Sequence, residues 1–260
     1  MDSILQSFAQ IFPDINTALN AGIPIFARVL GLMRFTPFLH RSEFPMLMKV
    51  GFALLFTVML TMVLNPPAPP ADKAPLIYAI AVNFAFGAAL GFIVNCIIST
   101  IEAAGDIINM QMGVSSATVL DPSTNSQISV MGKFFSLLGI LIFLQIGGAY
   151  WLFNAFVKSF TVFPLYSTTV PLDKILNMDY LVTLTSNVLY IGLQIASPVL
   201  LATLGQDIIL GVISKTAPQI NVFQLSFIFK PVFGAAILIW ILPMIYDVIQ
   251  QFYLSHANIF

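Results

Sequence analysis

The chain has 260 residues, of which 58% are apolar and only 8% are charged, whereas a soluble domain is typically about a quarter charged and just under half apolar. A soluble fold with a mean hydropathy of +0.95 cannot cover its surface with so few charges, and ten Lys and Arg residues against eleven Asp and Glu residues give no basic surface for nucleic acid. We therefore predict a membrane protein, or a chain buried within a larger assembly.

Six hydrophobic segments follow one another along the chain. Each is a candidate transmembrane helix, because about 20 apolar residues cross the hydrocarbon layer. The first is interrupted by Arg28 and Arg34, and the second is short. In chain order the segments are Ile15–Leu39, Val50–Leu64, Leu76–Ile101, Ile128–Phe160, Leu181–Leu204 and Pro231–Leu254. This pattern predicts an all-α membrane protein without room for a soluble domain.

Polar and proline-rich stretches separate these segments. Residues 65–75 read NPPAPPADKAP, which cannot be helical, and residues 118–127 read TVLDPSTNSQ, which favours a turn. If all six segments cross the membrane, the distribution of Lys and Arg favours an N-terminus on the outer side. The segments differ widely in length, which indicates that some of them pack inside a protein assembly instead of facing lipid.

Residues for catalysis or metal binding are scarce. The sequence lacks the nucleophile elbow, HExxH, P-loop and GxGxxG motifs of common soluble enzymes. Its single cysteine, Cys96, and its two histidines, His40 and His256, leave no cluster of metal ligands. We therefore predict no catalytic residue, no metal site and no cofactor, so the chain is not expected to be an enzyme.

Two aspartates in the apolar segments invite comparison with an intramembrane aspartyl protease. Asp207 and Asp247 would be its catalytic pair, but the two protease motifs stand here in the opposite order, and Gln206 replaces a glycine. The alternative is that both aspartates form pairs or caps near helix ends. We prefer that structural interpretation.

Charged residues also cluster around the third and fourth segments. Glu102 and Asp106 are four residues apart, so on a helix they share a face and repel each other. Lys133 follows the next turn and is placed to meet them. Two interpretations stay open here: carboxylates at a wet helix end, or a polar lining near a pore.

The stretch IINMQMGVSSATV at residues 107–119 combines adaptable and small residues. Methionine fills irregular gaps, and glycine permits backbone angles that other residues avoid. An ordinary helix end with small-residue packing explains this pattern, and so does a soft seal that closes a pore. The candidate residues for the seal are Met110, Gln111, Met112, Gly113, Val114, Ser115 and Ser116.

Three stretches together resemble the FliR family of the flagellar type III export gate, whose members in virulence injectisomes are called SctT. They read AGDIINMQMGVSSATVLDP (104–122), IFLQIGGAYWLFNAFVKSFTVFP (142–164) and DIILGVISKTAPQINVFQLSFIFK (207–230). The third carries five residues at the spacing typical of the family: Pro218, Gln219, Asn221, Phe223 and Lys230. The resemblance covers nearly the whole chain, although Ser226 stands where relatives often have glycine.

The resemblance implies a specific assembly. Such proteins form a helical gate from one FliR, five FliP and four FliQ chains, together with FlhB, FlhA and the MS ring of the basal body. Unfolded flagellar subunits pass through this gate, which contacts membrane lipid and no nucleic acid. It lies in the bacterial inner membrane, partly above the bilayer on the periplasmic side. Residues 1–180 would correspond to a FliP-like portion and residues 181–260 to a FliQ-like portion.

The resemblance also implies roles for two of the stretches. A plug that closes the channel maps to about residues 106–125, with Met110, Met112 and Gly113 at its centre, and Glu102, Asp106 and Lys133 are polar groups near it. The Pro218–Lys230 stretch becomes a turn that builds or contacts the assembly. We therefore predict a core subunit of the flagellar export gate. The alternatives are an injectisome gate subunit and a secondary transporter of small solutes.

Overall fold

The computed structural model describes residues 15–39, 45–64, 75–114, 129–166 and 178–256. Within these ranges every regular element is an α-helix, which confirms the predicted fold class. In chain order the helices are α1 (Ile15–Phe35), α2 (Met46–Leu64), α3 (Leu76–Gln111), α4 (Val130–Gln145), α5 (Gly148–Val162), α6 (Met178–Thr216) and α7 (Val222–His256).

Four of the described helices are long and apolar enough to cross a membrane. They are α2, α3, the Thr185–Thr216 part of α6, and α7. The fourth predicted segment, Ile128–Phe160, consists of two helices, α4 and α5, which meet the same criterion only when taken together across a sharp bend. Four helices, or five spans when the bent pair is included, thus account for the apolar composition.

Gly147 forms the bend between α4 and α5. Its φ is +84°, a left-handed conformation that ends a helix and that glycine adopts without strain. The amide of Ile146 still donates to the carbonyl of Ile142 at 3.0 Å, and the amide of Trp151 donates to the carbonyl of Gly147 at 3.2 Å as α5 begins. Gly147 therefore divides one apolar run into two helices.

The chain divides into two compact units. The first consists of Met1–Asn95 and Leu152–Asn177, and the second of Cys96–Trp151 and Met178–Phe260. Both units contain two separate stretches of the chain. The predicted division at residue 180 rests on likeness to two other subunits and stays a prediction.

In the first unit, glycines bring α1 and α3 into backbone contact. A β-carbon on Gly87 of α3 would collide with the carbonyl oxygen of Arg28, and one on Gly31 of α1 would collide with the carbonyl oxygen of Phe84. Gly91 follows Gly87 after one helical turn and lies against the carbonyl oxygen of Leu32. Such a small-xxx-small stripe is typical of closely packed membrane helices.

In the second unit, α6 and α7 form an antiparallel hairpin, and α7 also packs on α4. Tyr253 of α7 is 2% exposed, and its hydroxyl donates to the carbonyl of Gly139 at 3.1 Å. Its ring meets Phe143 edge-on, with 5.7 Å between the centroids. The core of this unit therefore satisfies its buried phenol with a backbone acceptor, as apolar interiors require.

Candidate functional site

The third helix continues past Glu102 and Asp106 and ends at Gln111, so the predicted plug residues Met110 and Gln111 are its last two. The amide of Met112 donates to the carbonyl of Ile108 at 2.9 Å, and the amide of Gly113 donates to the carbonyl of Met110 at 3.1 Å. Gly113 has a φ of +71°, so the chain leaves the helix through a left-handed glycine. Of the predicted plug residues, Ser115 and Ser116 lie outside the described part of the chain.

The two methionines of the predicted seal occupy opposite environments. Met110 is 75% exposed, whereas Met112 is 1% exposed. Met112 packs on Gly234 of α7, where a β-carbon would lie 2.6 Å from the Met112 Cγ atom. Met112 therefore anchors the end of α3 in the core of the second unit, and Met110 is the methionine that faces outward. Gln111 and Val114 are half-buried between these extremes.

The start of α4 is attached to the end of α3 by polar contacts. The side chain of Asn109, which is 4% exposed, accepts a hydrogen bond from the amide of Met131 at 3.4 Å. Ser129 caps α4 by accepting from the amide of Gly132 at 2.9 Å, and the Asp106 carboxylate lies directly against Gly132. A carboxylate at a helix N-terminus is favourable because it faces unpaired amides. These contacts thus attach the start of α4 to the end of α3.

The predicted polar group of Glu102, Asp106 and Lys133 is brought together only in part. All three side chains are exposed, and Asp106 lies at the beginning of α4. Among the described residues, however, no ion pair joins Lys133 to either carboxylate. Asp106 therefore contacts the N-terminus of α4. Of the two interpretations of the charged cluster, this contact favours a carboxylate at a helix end.

The Pro218–Lys230 stretch forms the turn between α6 and α7 and the first part of α7. The side chain of Asn221 accepts from the amide of Gln224 at 3.2 Å, which is the usual contact of a helix N-cap. Phe223 is 70% exposed and meets Phe227 edge-on at 4.6 Å. Pro218 and Gln219 are both exposed at the turn. This end of the hairpin therefore presents an aromatic pair beside a polar turn.

Lys230 joins the two helices of the hairpin through an ion pair. Its Nζ atom lies 2.6 Å from an Asp207 carboxylate oxygen, with 23% and 38% of the two side chains exposed. Asp247 lies seventeen residues beyond Lys230 on α7, which corresponds to about 25 Å along a helix axis. The two aspartates consequently do not form a catalytic dyad. Within the described ranges no group of three potential metal ligands comes together either.

Sequence reasoning missed a buried arginine in the first unit. Arg28 is fully buried, and its guanidinium donates to the Asn83 side-chain oxygen from two nitrogens, at 3.0 and 2.6 Å. It also donates to the hydroxyl of Ser159 at 3.0 Å and to the carbonyl of Phe163 at 2.9 Å. The ring of Phe160 lies 4.1 Å from the guanidinium carbon. Four hydrogen bonds and an aromatic face therefore surround this charge.

The partners of Arg28 are themselves held in place. The amide nitrogen of Asn83 donates to the carbonyl of Ala79 at 2.7 Å and to that of Leu165 at 3.4 Å, and the Ser159 hydroxyl donates to the carbonyl of Phe156 at 2.6 Å. No carboxylate joins this group within the described residues. The only signal in the sequence was an arginine inside an apolar segment, which usually has an interior partner.

Comparisons with known proteins identify a family and several relatives of the chain. A family model described as "Bacterial export proteins, family 1" matches residues 19–255. The chain is similar to the flagellar biosynthetic protein FliR of Escherichia coli strain K12, with 29% identity over 224 residues, covering 84% of this chain and 82% of the relative. It is also similar to FliR of Bacillus subtilis strain 168, with 25% identity over 255 residues, covering 95% and 93%.

Another relative is not a FliR protein by name. The surface presentation of antigens protein SpaR of Salmonella typhimurium strain LT2 is 28% identical over 217 residues, covering 84% of this chain and 80% of the relative. The flagellar FliR proteins and SpaR thus match the chain at comparable identity and over comparable lengths.

Proposed function

The chain belongs to family 1 of the bacterial export proteins, and from this membership we propose that it is a core subunit of the flagellar type III export gate in the bacterial inner membrane. The match along residues 19–255 is the observation that carries the proposal. Relatives named as flagellar FliR proteins support the flagellar assignment. The similarity to SpaR favours an injectisome gate subunit as the second candidate.

In this proposal one copy of the chain builds the channel together with five FliP and four FliQ chains. It also contacts FlhB, FlhA and the MS ring. The exposed surface of the membrane helices supports an assembled state. Large apolar side chains on four helices are more than two-thirds exposed, for example Leu47, Ile77, Leu201 and Trp240. Contiguous apolar surface of this kind is covered by lipid or by neighbouring subunits.

We assign channel closure to the segment that begins at Met110. The exposed Met110 side chain stands at the end of α3, next to the left-handed Gly113 and close in sequence to the base formed by Asn109 and Ser129. A fixed base keeps the seal in register, while the thioether and the glycine allow it to yield to a passing chain. Met112 acts here as the anchor of this seal.

The test of the gate assignment is complementation. A bacterium that lacks its own FliR is supplied with this chain, and the hook and filament proteins released into the medium are measured. We expect restored release and co-purification of the chain with FliP and FliQ. Release of injectisome substrates alone would favour the second candidate, and a functional monomer that transports a small solute would contradict the export proposal.

The test of the plug uses two methionine variants. Met110→Ala removes the outward thioether, and we expect it to increase ion leakage through the gate several-fold while export continues, because sealing is lost without loss of the anchor. The matched control is Met59→Ala, which changes a methionine of similar exposure, 63%, on α2. Ion flux into whole cells and protein export are measured together. Unchanged ion flux in the Met110 variant would refute the plug assignment.

A further inference from the structure

A cleft opens along the α6–α7 hairpin in the second unit. Its volume is about 500 Å³, which is within the range of ordinary ligand sites. Its walls are almost entirely apolar and include small residues as well as aromatic ones. Both helices of the hairpin contribute to the lining, which includes Gly205, Gln206, Ile209, Leu225, Phe229 and Phe233.

Gln206 lines this cleft with an unsatisfied carboxamide. The residue is 8% exposed, and neither its side-chain oxygen nor its side-chain nitrogen has a hydrogen-bond partner. Buried side-chain amides nearly always have partners, and an unpaired one is unfavourable in an apolar environment. The carboxamide offers one acceptor and one donor group at the same position. A complementary occupant must therefore bring both a donor and an acceptor.

The depth of Gln206 excludes the polar part of a lipid as that occupant. The residue lies ten positions before the end of α6 at Thr216, which is about 15 Å along the helix axis and therefore about half of a 30 Å hydrocarbon layer. Lys215 and the polar turn at 217–221 mark that end as the interfacial one. Ester and head groups of lipids stay near the interface, and an acyl chain at this depth provides no hydrogen bond.

The exposed backbone at Gly205, next to Gln206, favours a helix as the occupant of the cleft. A β-carbon on Gly205 would meet nothing within 4 Å, so the backbone of α6 is open at this point. Glycines in membrane helices commonly mark where a second helix backbone approaches closely, and side-chain amides hydrogen-bond across such contacts. The open backbone of Gly205 and the unpaired amide of Gln206 therefore lie side by side on α6.

We propose that the Gln206 cleft receives a transmembrane helix of a second polypeptide, and that an Asn or Gln side chain of that helix forms a reciprocal pair of hydrogen bonds with Gln206. The inference rests on the proposed function, because it requires an assembly of membrane proteins. It adds the chemistry of the contact: a carboxamide on the incoming helix, at the level where the hairpin leaves its own carboxamide unpaired.

The first experiment is site-specific photo-crosslinking in cells that assemble the complete complex. A benzophenone amino acid replaces Ile209, which lines the cleft and is 62% exposed, or Ile208, which is 70% exposed and does not line the cleft. We expect the probe at 209 to attach to an apolar helix of a different membrane protein, within one turn of an Asn or Gln. The probe at 208 should not yield this product.

Three outcomes would overturn the proposal: attachment of the probe at 209 only to lipid acyl chains, attachment to a second copy of this chain, or no difference between the two probes. Each leaves the export function intact, because complementation by the wild-type chain is scored separately. Failure of that complementation would instead refute the proposed function, whatever the probes attach to.

The second experiment replaces the amide. Gln206→Leu makes the side chain apolar at similar size, so the variant is expected to reach the membrane in normal amounts. Because one interhelical hydrogen-bonded pair is lost, we expect recovery of the crosslinked partner to fall about three- to tenfold. Replacing the partner's Asn or Gln by Leu should give the same loss, and combining both changes should add little. Full recovery with Gln206→Leu, or additive losses, would contradict the pairing.

Discussion

Arg28 of the first unit and Gln206 of the second are both buried polar side chains, but their hydrogen bonding is opposite. In the first unit, Arg28 is fully buried and its guanidinium makes four hydrogen bonds to groups of the same unit. In the second, Gln206 is almost as deeply buried and makes none. An apolar environment penalises both groups unless they are paired. The Arg28 site is therefore complete within its own unit, whereas we propose that the Gln206 site is completed by another chain.

The largest expected effect is the loss of the arginine. Arg28→Leu leaves the oxygens of Asn83, Ser159 and Phe163 without their donor, and an unsatisfied buried group costs about 1–3 kcal/mol. We expect destabilisation of about 3 kcal/mol or more, seen as a lower midpoint of thermal unfolding in detergent. The control is Arg34→Leu, which changes an exposed arginine at the end of the same helix. Equal midpoints for the two variants would show that the buried Arg28 stabilises the protein no more than the exposed Arg34 does.

An intermediate effect is expected from the glycines. Gly87→Ala places a β-carbon against the carbonyl oxygen of Arg28, and forced overpacking of this kind destabilises by about 1–3 kcal/mol. Gly211→Ala, on α6, meets nothing within 4 Å and should stabilise the helix by up to about 1 kcal/mol. We therefore expect the unfolding midpoint of Gly87→Ala to lie below that of the wild type and the midpoint of Gly211→Ala to lie above it. Equal shifts would show that α1 and α3 separate easily.

The smallest effect is expected at Gln206 in the isolated chain. Removing an unpaired buried amide eliminates a desolvation penalty without breaking a bond, so Gln206→Leu should raise stability by up to about 1 kcal/mol. The measurement is again the unfolding midpoint of the purified chain in detergent. A clear loss of stability would mean that Gln206, like Arg28, already has a hydrogen-bond partner within its own unit.

The helices were predictable from the sequence, but some of their ends were not. The third helix continues past Glu102 and Asp106 to Gln111, because exposed carboxylates on a helix surface do not terminate it. The end is set by the backbone conformation of Gly113. Similarly, the run from 128 to 160 reads as one apolar segment, and only the positive φ of Gly147 divides it.

The polar sites were less predictable because their partners are distant in sequence. Asn83 and Ser159 lie 55 and 131 residues from Arg28, so no local pattern connects them. Gln206 was visible only as a departure from a protease motif. Its significance depends on the lack of a hydrogen-bond partner in the folded hairpin, which periodicity and spacing do not encode. By contrast, the turn before α7 follows from local Pro and Asn chemistry.

The hydrogen bonds of Arg28 also join parts of the chain that are synthesised at different times. The ribosome synthesises α1 before it reaches Ser159 and Phe163, the acceptors of Arg28 that lie 131 and 135 residues later in the chain. Residues 96–151, which belong to the other unit, leave the ribosome in between. All four hydrogen bonds of Arg28 can therefore be in place only after the chain has reached Phe163.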